Sequence, residues 1–152
     1  MSRGWQAIGA IALCALALAG CAQVEADVLP TPSPTPSDTS TPLTDIAAGD
    51  CYDESGASVL VLDCDEPHDF EVFATLLLED ATYPAETLAA TATARCRTAF
   101  SAFIGLEYDA SELALRYVAP SAATWKQGDR EVLCIVHDPA GATTGSLADA
   151  LR

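Results

Sequence analysis

Four cysteines, Cys51, Cys64, Cys96 and Cys134, are spread over the C-terminal two-thirds of a 152-residue chain. Two bridges among them would constrain the fold more than any hydrophobic pattern, because each would remove loop entropy from the unfolded chain. Four thiols admit three pairings. Whether they close at all depends on compartment, since thiols stay reduced in a cytosol and oxidise outside it.

Residues 1–20 answer the compartment question. Arg3 gives a short positive start, and an Ala/Leu-rich apolar stretch runs from Ile8 to Ala19. That stretch is short for a membrane span, which needs about 20 apolar residues, and it suits the core of a secretory signal peptide. It ends in Leu18-Ala19-Gly20-Cys21, which resembles the bacterial lipobox. There the small residues admit the backbone to a peptidase, and the Cys21 thiol is the nucleophile that takes the lipid. The expectation is a lipoprotein anchored through Cys21 to the outer face of the cytoplasmic membrane, since two or more acyl chains hold stably. Cys14 would leave with the signal. Loss of residues 1–20 removes Arg3 and no acid, so the net charge moves from −15 to −16. A charge of that sign excludes a partner such as nucleic acid, which needs a basic face. It also excludes a polybasic membrane-surface module.

Residues 21–45 hold Pro30, Pro32, Pro34, Pro36 and Pro42 among Thr and Ser, with no apolar periodicity. Such a stretch cannot bury enough surface to offset its ordering entropy. It reads as an extended tether that could reach roughly 70 Å at polyproline spacing.

Order signals fill residues 46–152, a single domain with a short C-terminal tail. Ser58–Leu62 and Phe70–Leu78 read as strands, the second with Phe70, Val72, Ala74, Leu76 and Leu78 at period two. From Pro84 to Ile104 the spacing predicts a helix, with Leu88, Ala92, Cys96, Ala99, Phe100, Phe103 and Ile104 on one face and Gly105 as its stop. Glu112–Val118 and Glu131–His137 read as two further strands, with Thr124–Gly128 as a turn between them. The expected fold class is α+β: a small antiparallel sheet in ββαββ order with one long helix packed on it.

Among the three pairings, this reading favours Cys51 with Cys64, which closes a local loop, and Cys96 with Cys134, which ties the inner face of the helix to the last strand. Zinc is disfavoured, because no C-x-x-C spacing exists; no metal and no cofactor are expected.

Eight acids lie between positions 50 and 71: Asp50, Asp53, Glu54, Asp63, Asp65, Glu66, Asp69 and Glu71. An EF-hand loop begun at Asp63 would put Pro67 at its fifth position and His68 where glycine is needed, so that pattern fails. A solvated acidic face is favoured, with a cation- or ligand-binding module as the alternative. His68-Asp69 and His137-Asp138 pair a histidine with an acid, as general acid–base catalysis would. No nucleophile motif accompanies them, and histidines in exposed turns with local hydrogen bonds are the simpler reading. An envelope hydrolase using His68 or His137 is the second alternative. Trp125, Gly128, Asp129 and Arg130 form a compact motif: either a recognition hot spot or a tryptophan covering one edge of the core beside a hydrogen-bonded turn.

Gly49-Asp50-Cys51, Val61 to Cys64, Pro67-His68, Glu71-Val72, Cys96 with Phe100 and Phe103, Trp125, Gly128-Asp129-Arg130, Cys134 and Gly145-Ser146-Leu147 together resemble the septum-formation domain of actinobacteria. The resemblance covers residues 46–147. It implies an extracytoplasmic module with two disulfides, architectural roles for Pro67-His68 and Gly128-Asp129-Arg130, and a link to septation without a known enzymatic activity. Many members carry a transmembrane helix, where this chain has a lipid anchor. The expected function is therefore non-catalytic: a lipoprotein presenting its domain to an unidentified protein of the cell envelope.

Overall fold

The computed structural model describes residues 40–152. The expected signal segment, Cys21 and most of the expected tether lie outside the described residues. Six strands form one antiparallel sheet: β1 (Ser40–Thr41), β2 (Cys51–Ser55), β3 (Ser58–Leu62), β4 (Phe70–Leu77), β5 (Ala114–Val118) and β6 (Glu131–His137). Their spatial order is β1-β3-β2-β4-β6-β5. Among the described residues there are also one long helix, α1 (Leu88–Ile104), a single turn of helix, α2 (Ala122–Trp125), and two 3-10 turns, Leu43–Asp45 and Tyr108–Ala110. The α+β class holds. The sheet gains β2, which the sequence pattern hid because Cys-Tyr-Asp-Glu-Ser has a single large apolar side chain. Ser40–Thr41 and a helical turn at Leu43–Asp45, counted by composition as tether, carry regular structure against β3 and the sheet face.

Helix α1 buries Leu88, Ala92, Cys96, Phe100 and Ile104, an unbroken stripe at i, i+4 spacing. It starts four residues later than its periodicity predicts, because Pro84 to Thr87 form a hydrogen-bonded turn ahead of it. Gly105 ends it at φ 77°, and a Cβ there would come within 2.7 Å of the Leu151 side chain. The left-handed angle is what calls for glycine here, since Leu151 is exposed and the end of its side chain can move aside. Between α1 and the sheet lie Phe73, Leu78, Leu113, Trp125, Val132, Cys134, Val136 and Leu147.

The opposite sheet face has its own core of Ile46, Tyr52, Val59, Val72, Leu133 and Ile135, partly roofed by Leu43. Strand β6 is thus buried on both sides, which its consecutive run Val132 to Val136 reflects. Strand β4 departs from simple alternation. Its register with β6 shifts between Val72 and Ala74, so Phe73 sits in a bulge. One extra residue reverses the phase of every later side chain. Phe70 and Val72 consequently join the far face, while Ala74, Leu76 and Leu78 pack towards the helix, and Leu77 is left exposed. The single face predicted for Phe70 to Leu78 is corrected accordingly.

Both favoured disulfides are present, Cys51–Cys64 and Cys96–Cys134, with Cα separations of 5.2 and 5.5 Å. The C-terminal stretch is no loose tail. Gly145 donates to the Cys64 carbonyl, Leu147 to Glu71, Asp149 to Phe103 and Leu151 to Ile104. Among the described residues, no helix is long and apolar enough to cross a membrane.

Candidate interaction surface

His68 is not in an exposed turn. It is 1% exposed and pairs with Thr143 in an isolated antiparallel bridge. Its Nδ1 lies 2.8 Å from the Glu66 carbonyl oxygen, so Nδ1 carries the hydrogen and Nε2 faces the Thr143 hydroxyl at 3.4 Å as an acceptor. Pro67 precedes it in the turn that sends the chain inward. Glu71, also buried, takes the Ser146 hydroxyl at 2.6 Å and the Leu147 N–H at 2.7 Å. Cys51, His68 and Glu71 place one candidate ligand atom each within 4.8 Å of one another. Cys51 is bonded to Cys64, and both Glu71 oxygens already hold donors. The chemistry of this cluster is that of a knot joining β2, β4 and the C-terminal stretch.

The remaining acids of the 50–71 stretch do not converge. Asp50 caps the Ala47 N–H, Asp53 the Asp69 N–H and Asp63 the Asp65 N–H, while Glu54 pairs with Arg116. Asp50 and Asp63 serve their own turns, whereas Asp53 and Glu54 reach to other segments of the chain.

Trp125 is buried, with Tyr83 edge-on to its ring at 5.7 Å. The Arg130 guanidinium stacks 3.7 Å from the indole centroid and donates at 2.8 Å to both the Trp125 and Asp129 carbonyls. Asp129 accepts from the Glu131 N–H, and Gly128 turns the chain at φ 99°. Ser121 and Thr124 close a capping box ahead of α2. The motif is the brace of the β5–β6 connection. The reading as a core-edge tryptophan beside a hydrogen-bonded turn fits, and the exposed hot spot does not.

Sequence reasoning missed Arg116. From β5 it reaches across the far face of the sheet, donating to the Tyr52 hydroxyl at 3.1 Å and to Glu54, with its guanidinium 3.9 Å from the Phe70 ring centroid. Tyr52 stacks on Phe70, and His137 tilts against the same ring at 5.4 Å. Burial holds the Tyr52 hydroxyl above its ordinary pKa. Burial first, and the Arg116 charge second, hold the His137 imidazole below its own. The His137 Nδ1 is buried without a hydrogen-bond partner. The only hint of this hub in the sequence is one cation inside an apolar strand of an acid-rich chain.

The exposed relief lies at the helix side. Thr93 and Arg97 of α1, Tyr108 beyond its end, and Leu115, Arg116 and Tyr117 of β5 line a groove of about 420 Å³. The Arg97 guanidinium lies 4.6 Å from the Tyr108 ring centroid and pairs with Asp109. Beside α1 and β4, Leu76, Ala94, Arg95, Thr98, Ala99 and Ala102 line a shallower, apolar groove of about 430 Å³.

No curated protein and no solved structure matches the chain. The sequence model of one family, described as septum formation, matches residues 48–152. That span runs from the turn ahead of Cys51 to the last residue. It takes in both disulfides, the His68–Glu71 knot, the Trp125–Arg130 brace and the sutured C-terminal stretch. The chain belongs to the septum-formation family.

Proposed function

We propose that this protein is a lipoprotein of the cell envelope, anchored through Cys21 to the outer face of the cytoplasmic membrane, and that its domain serves septation or wall processes by binding another envelope protein rather than by catalysis. The observation that carries the reading is the family match over 48–152. The site chemistry supports the non-catalytic part. Of the two candidate histidines, His68 is buried with its Nδ1 on the Glu66 carbonyl beside a Glu71 whose oxygens hold Ser146 and Leu147, and His137 packs its ring against Phe70 with its Nδ1 buried. A hydrolase would need one of them open to substrate beside a free carboxylate. The lipobox and the Pro/Thr/Ser tether support the anchor, and the two disulfides suit an oxidising compartment.

Mass spectrometry of the protein extracted from its own membranes tests the anchor. A mature N-terminus at Cys21 carrying acyl chains is expected, and an unacylated start elsewhere would sink it. Crosslinking in intact envelopes tests the partner. A discrete protein adduct is expected, lost when residues 46–152 are unfolded by reduction.

A further inference from the structure

We propose that the open edge of β4 at Ala74–Leu77 is a docking strand for an extended, mainly apolar segment of an envelope protein, whose single carboxylate pairs with Arg95. This rests on the protein-binding reading above and names the partner's chemistry.

Strand β4 has two neighbours of unequal reach. It pairs with β6 from Glu71 to Leu77, but with β2 only at Phe70 and Glu71. Val72 still accepts from Gly49 and donates to Asp50, and there the chain leading into β2 folds away through the Ala47–Asp50 turn. Leu78 donates to Arg130 on the β6 side. Main-chain groups along an antiparallel strand face its two neighbours alternately, so Thr75 and Leu77 direct theirs away from β6. Among the described residues, only the Arg95 guanidinium meets them, at the Leu77 carbonyl oxygen, 2.9 Å away. Both residues are exposed, Leu77 to 59%. The groups left open are the template used in strand addition. The Leu77 oxygen keeps a second lone pair for an added strand.

The groove along that edge sets the occupant. Leu76 lines it from β4, and Ala94, Arg95, Thr98, Ala99 and Ala102 line it from α1, with no carboxylate. Alternate side chains of an added strand project to one face, here into this groove, where the short side chains of α1 leave room for Val, Ile or Leu. Arg95 is the one charge in it. Arg97, Arg116 and Arg152 each have a carboxylate partner, whereas Arg95 has none among the described residues. Its Nη1 rests on the Leu77 carbonyl, which leaves Nε and Nη2 to take a carboxylate. The chain carries 22 acids against seven lysines and arginines, and that field repels a strongly acidic segment. One carboxylate at the Leu77 end of an otherwise apolar strand is what the edge fits. A second copy fits less well, because two chains of net charge −15 repel.

The test uses the purified, disulfide-bonded full chain in detergent and a library of blocked hexapeptides. These carry Val, Ile or Leu at alternate positions, Thr or Ser between, and one Glu at either end. Library members are expected to bind and to slow hydrogen exchange at Thr75 and Leu77 by about tenfold or more, as new main-chain bonds require. Replacing Glu by Gln in the peptide is expected to weaken binding about threefold, the size of one exposed ion pair. Arg95→Gln should weaken the Glu peptide by the same factor and leave no preference between Glu and Gln peptides. Methylating alternate peptide nitrogens on the bonding edge should abolish binding. Arg95 is surface-exposed, and the melting temperature of the variant checks its folding. The proposal is overturned if no library member binds, if exchange at Thr75 and Leu77 is unchanged in the complex, or if methylated or Gln peptides bind equally. Protection of these amides before any peptide is added also overturns it, in favour of a second copy if the chain is dimeric and of its own N-terminal stretch if it is monomeric. Peptide binding without any crosslinked envelope partner would support this edge and count against the protein-binding function alone, and a partner without peptide binding would count against this edge alone.

Discussion

The Glu71 carboxylate on β4 accepts the Leu147 backbone N–H at 2.7 Å, joining residues 76 apart in sequence. Its other oxygen takes the Ser146 hydroxyl. Both oxygens of this buried side chain accept from the C-terminal stretch, and the pair of bonds holds that stretch over the Cys51–Cys64 bridge.

Replacing Glu71 by Leu keeps most of the bulk but removes both acceptors and leaves the buried Leu147 N–H without a partner. A buried donor left unmatched costs about 1–3 kcal/mol. The expected outcome is a loss of that size in urea unfolding and faster hydrogen exchange at Leu147 and Gly145, with α1 amides little changed. Uniform acceleration over the whole domain would show that the C-terminal stretch is not a separate unit.

The two disulfides differ in the loops they close, with sequence separations of 13 for Cys51–Cys64 and 38 for Cys96–Cys134. The loop-entropy relation gives about 3 kcal/mol for the first and about 4 kcal/mol for the second. Cys96 and Cys134 are also fully buried between α1 and β6, so paired alanines there leave a cavity as well. Paired Ala substitution at Cys96 and Cys134 is expected to cost more than at Cys51 and Cys64, measured by denaturant unfolding of each double variant. The reverse order would mean that the local bridge does more than close its loop.

The range of each interaction decides how legible it is in the sequence. The α1 stripe and its Gly105 stop depend on local periodicity and are legible to within about one turn. The pairing of Cys96 with Cys134 is legible too, because both lie on faces that periodicity orients. The β4 bulge at Phe73 is not, since one inserted residue changes no composition and reverses the phase of all later side chains in the strand. The role of His68 is legible only as architecture implied by resemblance, because its partner Thr143 lies 75 residues away. The Arg97 groove depends on which strand ends the sheet, and strand order leaves no local trace.

Arg130 acts through shape as well as charge. Its planar guanidinium covers the Trp125 ring while donating to two carbonyls, which an ammonium cannot reproduce. Arg130→Lys is expected to destabilise by about 1–2 kcal/mol, the sum of a weakened cation–π contact and a lost hydrogen bond. Arg130→Met, which keeps apolar cover but no donor, should lose a similar amount. Denaturation midpoints decide it, and a Lys variant as stable as the parent would show that charge alone suffices.

His137 predicts a pH dependence with a definite sign. Burial against Phe70 and the neighbouring Arg116 charge lower its pKa from the ordinary 6.5, while Asp138, Asp69 and Glu54 oppose the shift without reversing it. The fold therefore prefers the neutral ring. Above pH 6.5 the folded and unfolded states are both neutral at this site, and its full contribution is present. As pH falls from 6.5 through the lower folded value, the unfolded chain takes up the proton first and stability is lost. Asp138 titrates separately: the Ala140 N–H and Arg152 hold it below 3.8, so its contribution fades only in stronger acid. His137→Phe keeps the ring against Phe70 and removes the titration and the unpartnered Nδ1. Urea midpoints measured from pH 8 to pH 5 are expected to differ by a constant amount at the alkaline end, where the variant no longer buries an unpartnered nitrogen. The gap should widen below pH 6.5, again in favour of the variant. Parallel profiles across that range would assign the histidine the same environment in the folded and unfolded chain.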